Sequence, residues 1–159
     1  MFTAPDPNYA ERVRDSFARQ PAMRLIGASL TRIDPGLVEL SLAYREDLTQ
    51  QHGYLHGGII SAIVDTAGGY AGYTLFPADS SVLTVEYKIN LMAPGEGEMF
   101  VARGCVAKAG RTLCVVNGEV HAVKGGVRTL CALMQQTLIV LEGRPDRPVP
   151  NDQFTRRNA

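Results

Sequence analysis

The sequence has no excess of charge of either sign. Its 159 residues include 16 Lys and Arg and 16 Asp and Glu, so the formal net charge is zero. A protein that holds nucleic acid by neutralising phosphates needs a basic surface, and we therefore expect no nucleic-acid partner. The hydrophobic fraction, 45%, is ordinary for a globular protein. A chain of this length buries about two thirds of its unfolded surface and needs no disulfide or metal to fold.

Cysteine is scarce, and its spacing fits neither a disulfide framework nor a zinc site. Cys105, Cys114 and Cys131 form no C-x-x-C pair, and no histidine lies at zinc-ligand spacing from them. Each lies in an apolar stretch, which predicts three small buried side chains. An odd number of unpaired thiols is typical of a reducing compartment, so we expect a cytoplasmic protein without a metal site.

The distribution of apolar and charged residues predicts neither a targeting signal nor a membrane-spanning segment. Residues 1–5 have neither the basic start nor the apolar core of a secretion signal. The most apolar stretch, residues 57–76, contains five glycines and has Asp65 near its middle. A charged residue at that depth costs about 2.5–3.5 kcal/mol on insertion scales. We therefore expect no membrane span.

Common catalytic motifs are missing as well. The phosphate-binding loop, the H-E-x-x-H zinc motif and the G-x-S-x-G nucleophile elbow do not occur. The glycines of residues 68–72 lie inside a predicted helix instead of at its start, so they do not form a dinucleotide-binding turn.

The apolar spacing predicts two helices and six strands. Asp6 and Pro7 would begin a short helix with the apolar stripe Tyr9, Val13 and Phe17, and Pro21 would end it. A long helix, apolar nearly all round, is predicted at 57–75. The predicted strands are 26–33 and 37–43, joined as a hairpin, followed by 82–92, 99–109, 112–123 and 127–140.

This order of elements predicts an α+β fold. One long helix would pack against a mostly antiparallel sheet of about six strands, because short glycine-containing links join the later strands. In strand 82–92, regular alternation would place Leu83, Val85 and Tyr87 on one face and Thr84 and Glu86 on the other. Residues 1–141 would form one domain, and residues 142–159 a disordered tail.

A histidine and two glycines stand where the polar loop enters the long helix. The first N–H groups of a helix lack internal partners and favour negative charge. Gly57 and Gly58 would let a carbonyl approach them, so this helix start could serve as an oxyanion hole. The alternative is that both glycines only allow close packing under the sheet. We expect His56 to order the loop, and His52 and His121 to have no special role.

Asp65 is the second unusual residue, since it lies among apolar neighbours within the long helix. A buried carboxylate needs a partner, a raised pKa or a function. It either bonds to the backbone or to Thr66, or it serves as a general base or nucleophile. Eight residues separate Gly57 from Asp65, about 12 Å along one helix. Because both groups would have to reach one carbonyl, a shared reaction requires a two-fold dimer with each site built from two protomers.

These motifs resemble those of the hotdog-fold acyl-CoA thioesterases, specifically the PaaI-like phenylacetate-degradation type. The resemblance covers about residues 25–141 and is carried by residues 50–58, 64–67, 92–95 and 110–113. It implies a hotdog fold, in which an antiparallel sheet wraps a long helix. It also implies homodimers formed through a continuous sheet, and commonly homotetramers.

The resemblance further implies hydrolysis of an acyl-CoA thioester to free CoA and a carboxylic acid, without cofactor or metal. Asp65 matches the family's catalytic carboxylate, and Gly57, flanked by His56 and Gly58, matches its oxyanion donor. Gln50 stands where many relatives have Asn, an amide that helps to hold the thioester or the water. Thr84 matches an assisting hydroxyl residue in some relatives.

Three further residues match a turn that contacts the CoA part of the substrate in relatives. They are Lys108, Gly110 and Arg111, and the cationic side chains of Lys108 and Arg111 suit CoA phosphates. The alternative is an ordinary solvated hairpin. Apolar lining from the long helix, with Tyr70 or Tyr73, would suit an aryl or medium-chain acyl group.

Two other functions are compatible with the same fold. A hotdog-fold enoyl-CoA hydratase or dehydratase would need a histidine facing a carboxylate, and the predicted helix offers none. A non-catalytic acyl-CoA-binding protein would keep the cleft without the reaction.

Overall fold

The computed structural model of the protein describes residues 2–144 and 146–147. These residues form three α-helices, α1 (Tyr9–Ala18), α2 (Pro21–Ile26) and α3 (Gly57–Tyr73), with a short 3-10 helix at Glu46–Leu48. They also form six strands, β1 (Ser29–Asp34), β2 (Leu37–Ala43), β3 (Ser81–Leu91), β4 (Met99–Ala109), β5 (Leu113–Lys124) and β6 (Val127–Leu141). The predicted disordered tail, 142–159, falls mostly outside the described residues.

All six strands form one antiparallel sheet in the order β1-β2-β4-β5-β6-β3. Helix α3 lies across one face and contacts β2, β3, β4, β5 and β6. The predicted α+β architecture is therefore confirmed, and β3 forms one edge of the sheet. None of the helices in the described residues is long and apolar enough to cross a membrane.

Glycines let the sheet lie directly on α3. A β-carbon on Gly104 of β4 would lie 2.5 Å from the backbone of Gly68 in α3. The strand and the helix therefore touch backbone to backbone at this point. A β-carbon on Gly118 of β5 would lie 2.5 Å from Val64 Cγ2. The glycines that weaken the helix intrinsically are therefore compensated by close packing against the sheet.

The N-terminal helices differ from the prediction. The first helix begins at Tyr9, with Asn8 at its N-cap position, and Pro21 begins α2 instead of ending helical structure. Asp6 is used otherwise, since its carboxylate accepts the Asn8 N–H at 2.9 Å and pairs with Arg12 at 3.1 Å. Because α2 extends to Ile26, the strand predicted from residue 26 begins only at Ser29.

A β-bulge changes the faces of strand β3. The pairing with β6 shifts between Thr84, opposite Leu138, and Glu86, opposite Thr137. An extra residue, Val85, therefore stands between two pairs and reverses the alternation beyond it. The predicted faces are wrong for this reason: Thr84 lies on the same face as Tyr87, the face towards α3, and not on the face of Glu86.

The three thiols are free, but they are not all buried. Cys114 and Cys131 are buried, and burial raises the pKa of the Cys114 thiol to about 11. Cys105 is exposed, which corrects the prediction for that residue. It stands on β4 next to the buried Val106, so strand alternation turns its side chain away from α3.

We expect Gly104→Ala to destabilise the protein by more than about 2 kcal/mol, because backbone atoms that cannot move aside occupy the space. Gly69→Ala is the matched control. A β-carbon there meets nothing within 4 Å, so the better helix propensity of alanine should add up to about 1 kcal/mol. Urea unfolding of both variants measures the two effects. Equal stability of the two variants would contradict the backbone contact.

Candidate active site

The start of α3 is held by His56. This residue is the N-cap of the helix, and its Nδ1 accepts the backbone N–H of Gly58 at 2.9 Å. Because Nδ1 acts as the acceptor, Nε2 is the ring nitrogen left for any other contact. The backbone N–H of His56 donates to the Leu48 carbonyl at 3.0 Å, which ties the preceding loop to the helix.

The two glycines after His56 are not equivalent. The N–H of Gly58 is taken by the His56 side chain. No acceptor within the described residues bonds the N–H of Gly57, which lies at the positive end of the helix. Gly57 therefore supplies the free donor, while Gly58 completes the cap.

Gly57 borders a cavity of about 360 Å³. Gln50 also lines it, and the Gln50 Oε1 accepts the backbone N–H of His52, which fixes the side chain within its loop. The Gln50 amide nitrogen has no acceptor among the described residues. The rest of the lining is mainly apolar: Tyr54, Leu55, Ile60, Leu91, Met92, Ala93, Pro94 and Gly95.

Asp65 lies two turns further along α3, beside the edge strand β3. Its Oδ1 accepts the Thr84 hydroxyl at 2.8 Å and the Gln136 side-chain amide at 3.2 Å. The same Gln136 nitrogen also donates to the backbone carbonyl of Asp65 at 3.2 Å. Thr84 thus lies in contact with Asp65, whereas Thr66, the alternative partner from the sequence, makes no hydrogen bond to this carboxylate.

Gln136 is the residue that sequence reasoning missed. It stands in the middle of β6, 71 positions from Asp65, and its side chain is fully buried. The one available signal was a glutamine within an apolar strand, where a polar side chain needs a partner.

The environment of Asp65 favours its neutral form. Burial raises the pKa of the Asp65 carboxyl above its usual range, and the hydrogen bond from Thr84 partly opposes this increase. A carboxyl with these properties is suited to take up a proton during a reaction.

The start of α3 at Gly57 and Asp65 in its middle belong to different parts of the surface. Gly57 and Asp65 are about 12 Å apart along the helix, and Asp65 is not among the residues that line the cavity at Gly57. A β-carbon on Gly57 would meet Leu91 at 2.7 Å, whereas Asp65 contacts Thr84. The two groups therefore lie beside opposite ends of β3.

The predicted CoA-contacting turn lies at the Asp65 end. Thr84 pairs with Leu138, which pairs with Cys114, so the start of β5 is two strands from Thr84, about 10 Å, and the turn directly precedes it. Lys108 and Arg111 are exposed and pair with no described carboxylate. The turn itself requires a glycine at position 110, because a β-carbon there would lie 2.6 Å from the Leu113 carbonyl oxygen.

Tyr70 and Tyr73 do not line the site. Both are buried at the C-terminal end of α3, at 4% and 2% exposure, under helix α1. The Tyr70 hydroxyl bonds to Ser16 and Gln20 at 3.0 Å each, and burial raises its pKa to about 12. The expectation that these rings contact an acyl group is wrong, since the N-terminal helix covers them.

Comparison with known protein families identifies the family of this chain. The family model described as the thioesterase superfamily matches residues 52–129, from the loop before α3 into β6. The chain belongs to the thioesterase superfamily. The crystal structure of a thioesterase family protein from Silicibacter pomeroyi is 48% identical and has a TM-score of 0.84, over 85% of this chain and 99% of that one.

Two further comparisons concern a named relative and the fold. YigI of Escherichia coli K12, named a medium/long-chain acyl-CoA thioesterase, is 26% identical over 116 residues, 64% of this chain and 75% of YigI. The structure of the Escherichia coli PaaI protein of the phenylacetic acid degradation operon has a TM-score of 0.76 at 17% identity, over 86% of this chain and 96% of that one. The latter shows the fold alone, and the hotdog fold is confirmed. Thioester hydrolysis is the reaction class of the family.

The raised pKa of Asp65 gives a testable pH dependence of stability. For a carboxyl with a raised folded pKa, the stabilising contribution is present at low pH and is lost as the pH rises through that pKa. An ionised carboxylate at this partly buried position is therefore unfavourable for the fold. We expect Asp65→Asn, which keeps both hydrogen-bond donors satisfied, to be more stable than the unsubstituted protein at pH 7.

The advantage of Asp65→Asn should shrink as the pH falls towards about 4, where carboxyl groups of unfolded chains become protonated. Urea unfolding at fixed protein concentration and several pH values measures it. An Asn variant that is less stable at pH 7 would show that the charge itself stabilises the fold.

Proposed function

We propose that this protein hydrolyses acyl-CoA thioesters to free CoA and a carboxylic acid, at sites shared between two protomers. Each site would combine Gly57 of one protomer with Asp65 of the partner subunit. The observation that carries the proposal is the separation of a free helix-N-terminal donor from a partly buried carboxylate along one helix. Residues 1–141 would act together as the catalytic domain.

In this mechanism the Gly57 N–H donates to the thioester carbonyl oxygen and stabilises the negative charge that develops there. The free amide nitrogen of Gln50 lies in the same cavity, positioned to hold the thioester or the water. Asp65 acts either as general base, taking a proton from the attacking water, or as nucleophile, forming an anhydride that water then cleaves. In both routes the C–S bond breaks and CoA leaves as the thiol or thiolate.

The edge strand β3 supports the shared site. Its free side leaves backbone groups without a strand partner, and Leu83, Val85 and Leu91 are 59%, 57% and 55% exposed. Long apolar edge strands are normally covered. Antiparallel pairing of β3 with the same strand of a second protomer would cover it and form a continuous sheet.

The same pairing brings the two catalytic groups together. Gly57 lies beside the Leu91 end of β3, and Asp65 lies beside the Thr84 end. A two-fold axis through β3 places the Leu91 end of β3 in one protomer near the Thr84 end of β3 in its partner. One operation thus protects the edge strand and completes two sites. A homotetramer would consist of two such dimers.

Both parts of the proposed site, the one at Asp65 and the one at Gly57, support acyl-CoA as the substrate class. The turn with Lys108 and Arg111 lies at the Asp65 end, where it would meet the phosphates of CoA. Leu91 and Met92 provide apolar surface near Gly57 for an acyl group. The relative YigI, named for medium- and long-chain acyl-CoA substrates, supports the same class.

The alternatives fit the contacts less well. A hydratase or dehydratase needs a histidine beside the catalytic carboxylate, but Nδ1 of His56 is used for the helix cap. His121 is 3.7 Å from Glu119, and strand alternation places this pair on the sheet face away from α3. A panel of acyl-CoA and enoyl-CoA substrates separates the three functions, because they give thiol release, loss of the double bond or tight binding without turnover.

Gly57→Pro and Asp65→Asn test the shared site. Proline is favoured at the first position of a helix, so Gly57→Pro removes the proposed oxyanion donor at little cost to α3. We expect activity to fall about 10²–10³-fold for this variant and about 10²–10⁴-fold for Asp65→Asn. After subunit exchange, a mixture of the two should regain activity, because each heterodimer has one intact site.

Gly57→Ala is the control for this experiment, since it adds carbon atoms near Leu91 but keeps the N–H. Its activity should remain well above that of Gly57→Pro. Heterodimers detected by mass spectrometry without recovered activity would contradict the two-protomer site. Full activity of folded Asp65→Asn would contradict the assigned role of the carboxylate.

Arg111→Ala tests CoA recognition. If the guanidinium contacts a CoA phosphate, KM should rise while kcat stays nearly unchanged, since that end of the substrate does not react. The effect should decrease at high salt and vanish for a truncated thioester without the nucleotide. Arg32→Ala, in the hairpin at the opposite edge of the sheet, is the matched control. An unchanged KM at low salt would remove Arg111 from the site.

A further inference from the structure

We infer that Gln136 is a positioning residue for Asp65, which holds Oδ1 together with Thr84 and leaves Oδ2 as the oxygen that meets the water or the thioester. The inference rests on the proposed function, because it assigns roles to the two oxygens of the proposed catalytic carboxylate. It adds a residue from β6 to a site built so far from α3, the loop before it and β3.

The hydrogen bonds distinguish the two carboxylate oxygens. Oδ1 accepts from two different strands, Thr84 at 2.8 Å on β3 and Gln136 at 3.2 Å on β6. Oδ2 accepts no hydrogen bond from the part of the chain that is described. A carboxylate held at one oxygen by two donors has a fixed plane, so the direction of the other oxygen is also fixed.

The orientation of the Gln136 amide follows from its neighbours. Two acceptors, the Asp65 side chain and the Asp65 backbone carbonyl, lie on one side of the amide, each 3.2 Å from Nε2. The reversed amide would place its oxygen against both of them. The NH₂ group must therefore face Asp65, and it connects the carboxylate to the helix backbone.

Gln136 is unfavourable for stability alone. Its side chain is fully buried, and its Oε1 has no hydrogen-bond partner among the described residues. A buried acceptor without a partner costs about 1–3 kcal/mol, and an apolar side chain of similar size would avoid this cost. Filling space within the core therefore does not explain a glutamine here, whereas holding a carboxylate does.

Gly68 makes room for this amide. A β-carbon on Gly68 would overlap Oε1 of Gln136 and lie 2.7 Å from its Cδ. Gly68 is three residues after Asp65, on the same side of α3. The glycine that lets β4 approach the helix thus also leaves the space in which the amide reaches the carboxylate.

Few other titratable groups face this part of the helix. On the sides of the strands that face α3, Tyr87 of β3 is the cross-strand neighbour of Gln136, and Cys114 of β5 is buried near Gly72. Neither is in hydrogen-bond contact with the Asp65 carboxylate, whereas Thr84 and Gln136 are. A change in pH dependence after substitution of Gln136 is therefore attributable to the lost donor.

Gln136→Met is the decisive variant, because methionine keeps the length of the side chain and removes the donor. We expect kcat for acyl-CoA hydrolysis to fall about 10- to 100-fold, since the carboxylate loses its fixed geometry, with KM within about 3-fold. The acidic limb of the kcat/KM profile should move to higher pH, because a donor to the ionised carboxylate lowers its pKa. Removing that donor means that Asp65 becomes protonated at higher pH.

Gln135→Met is the matched control. Gln135 is the next residue on β6, exposed on the other face of the sheet, where its amide contacts Asn117. This variant should keep both kcat and the pH profile. A folded, dimeric Gln136→Met with an unchanged kcat and an unchanged acidic limb would overturn the inference.

A direct measurement separates this inference from the proposed function. Carbon-13 NMR titration of the Asp65 carboxyl, identified by its absence in Asp65→Asn, requires no activity. The titration should move to higher pH in Gln136→Met but not in Gln135→Met. A shift without any thioesterase activity in the parent protein would reject the proposed function and keep the contact. The absence of a shift would reject the contact.

Gly68→Ala provides a second route if Gln136→Met does not fold. Its methyl group should displace the Gln136 amide from Asp65 while every hydrogen-bonding residue is retained. The same fall in kcat and the same displacement of the carboxyl titration are expected. A folded Gly68→Ala protein with an unchanged carboxyl titration would count against the positioning role.

Discussion

The close contact between α3 and the sheet is the constraint on which the site depends. Gly104 of β4 lies against the backbone of Gly68, and this distance fixes how deeply the helix sits in the curve of the sheet. At this depth the helix side near Asp65 comes within hydrogen-bond reach of both β3 and β6. A larger residue at Gly104 would separate the layers and with them the groups that hold the carboxylate.

The partly buried carboxylate and the capped start of α3 each leave one polar atom without a protein partner among the described residues. Asp65 is tolerated among apolar residues because two neutral donors satisfy one of its oxygens, yet burial still raises its pKa. At the helix start, His56 satisfies the Gly58 N–H and leaves that of Gly57 without a protein acceptor. The helix thus retains a free donor at its start, Gly57, and a free acceptor in its middle, the Oδ2 of Asp65.

Much of this could be predicted from the sequence, because local patterns carry it. The helix at 57–73 could be predicted from its apolar residues and from the polar loop before it. Gly57 and Asp65 could be singled out because an unpaired polar group is costly inside a protein. The bulge at Val85 was not predictable, since alternation alone gives no sign of an inserted residue. Gln136 was missed because its meaning depends on a partner 71 positions away. Tyr70 and Tyr73 were misassigned because helix α1 covers them, a tertiary contact.

The proposed dimer gives a reason for the apolar surface of the edge strand. Strand β3 provides the hydroxyl of Thr84 to Asp65 at one end, and at the other end its Leu91 lies next to Gly57. A polar edge would protect an isolated protomer from aggregation, but it would also prevent the β3 pairing that would bring Gly57 of one protomer and Asp65 of the partner subunit to one carbonyl. In that dimer, the exposed Leu83 and Val85 would be the cost of dividing one reaction between two copies of a single helix. Self-association and catalysis would then depend on the same strand, so a variant that weakens the pairing of β3 should lose both together.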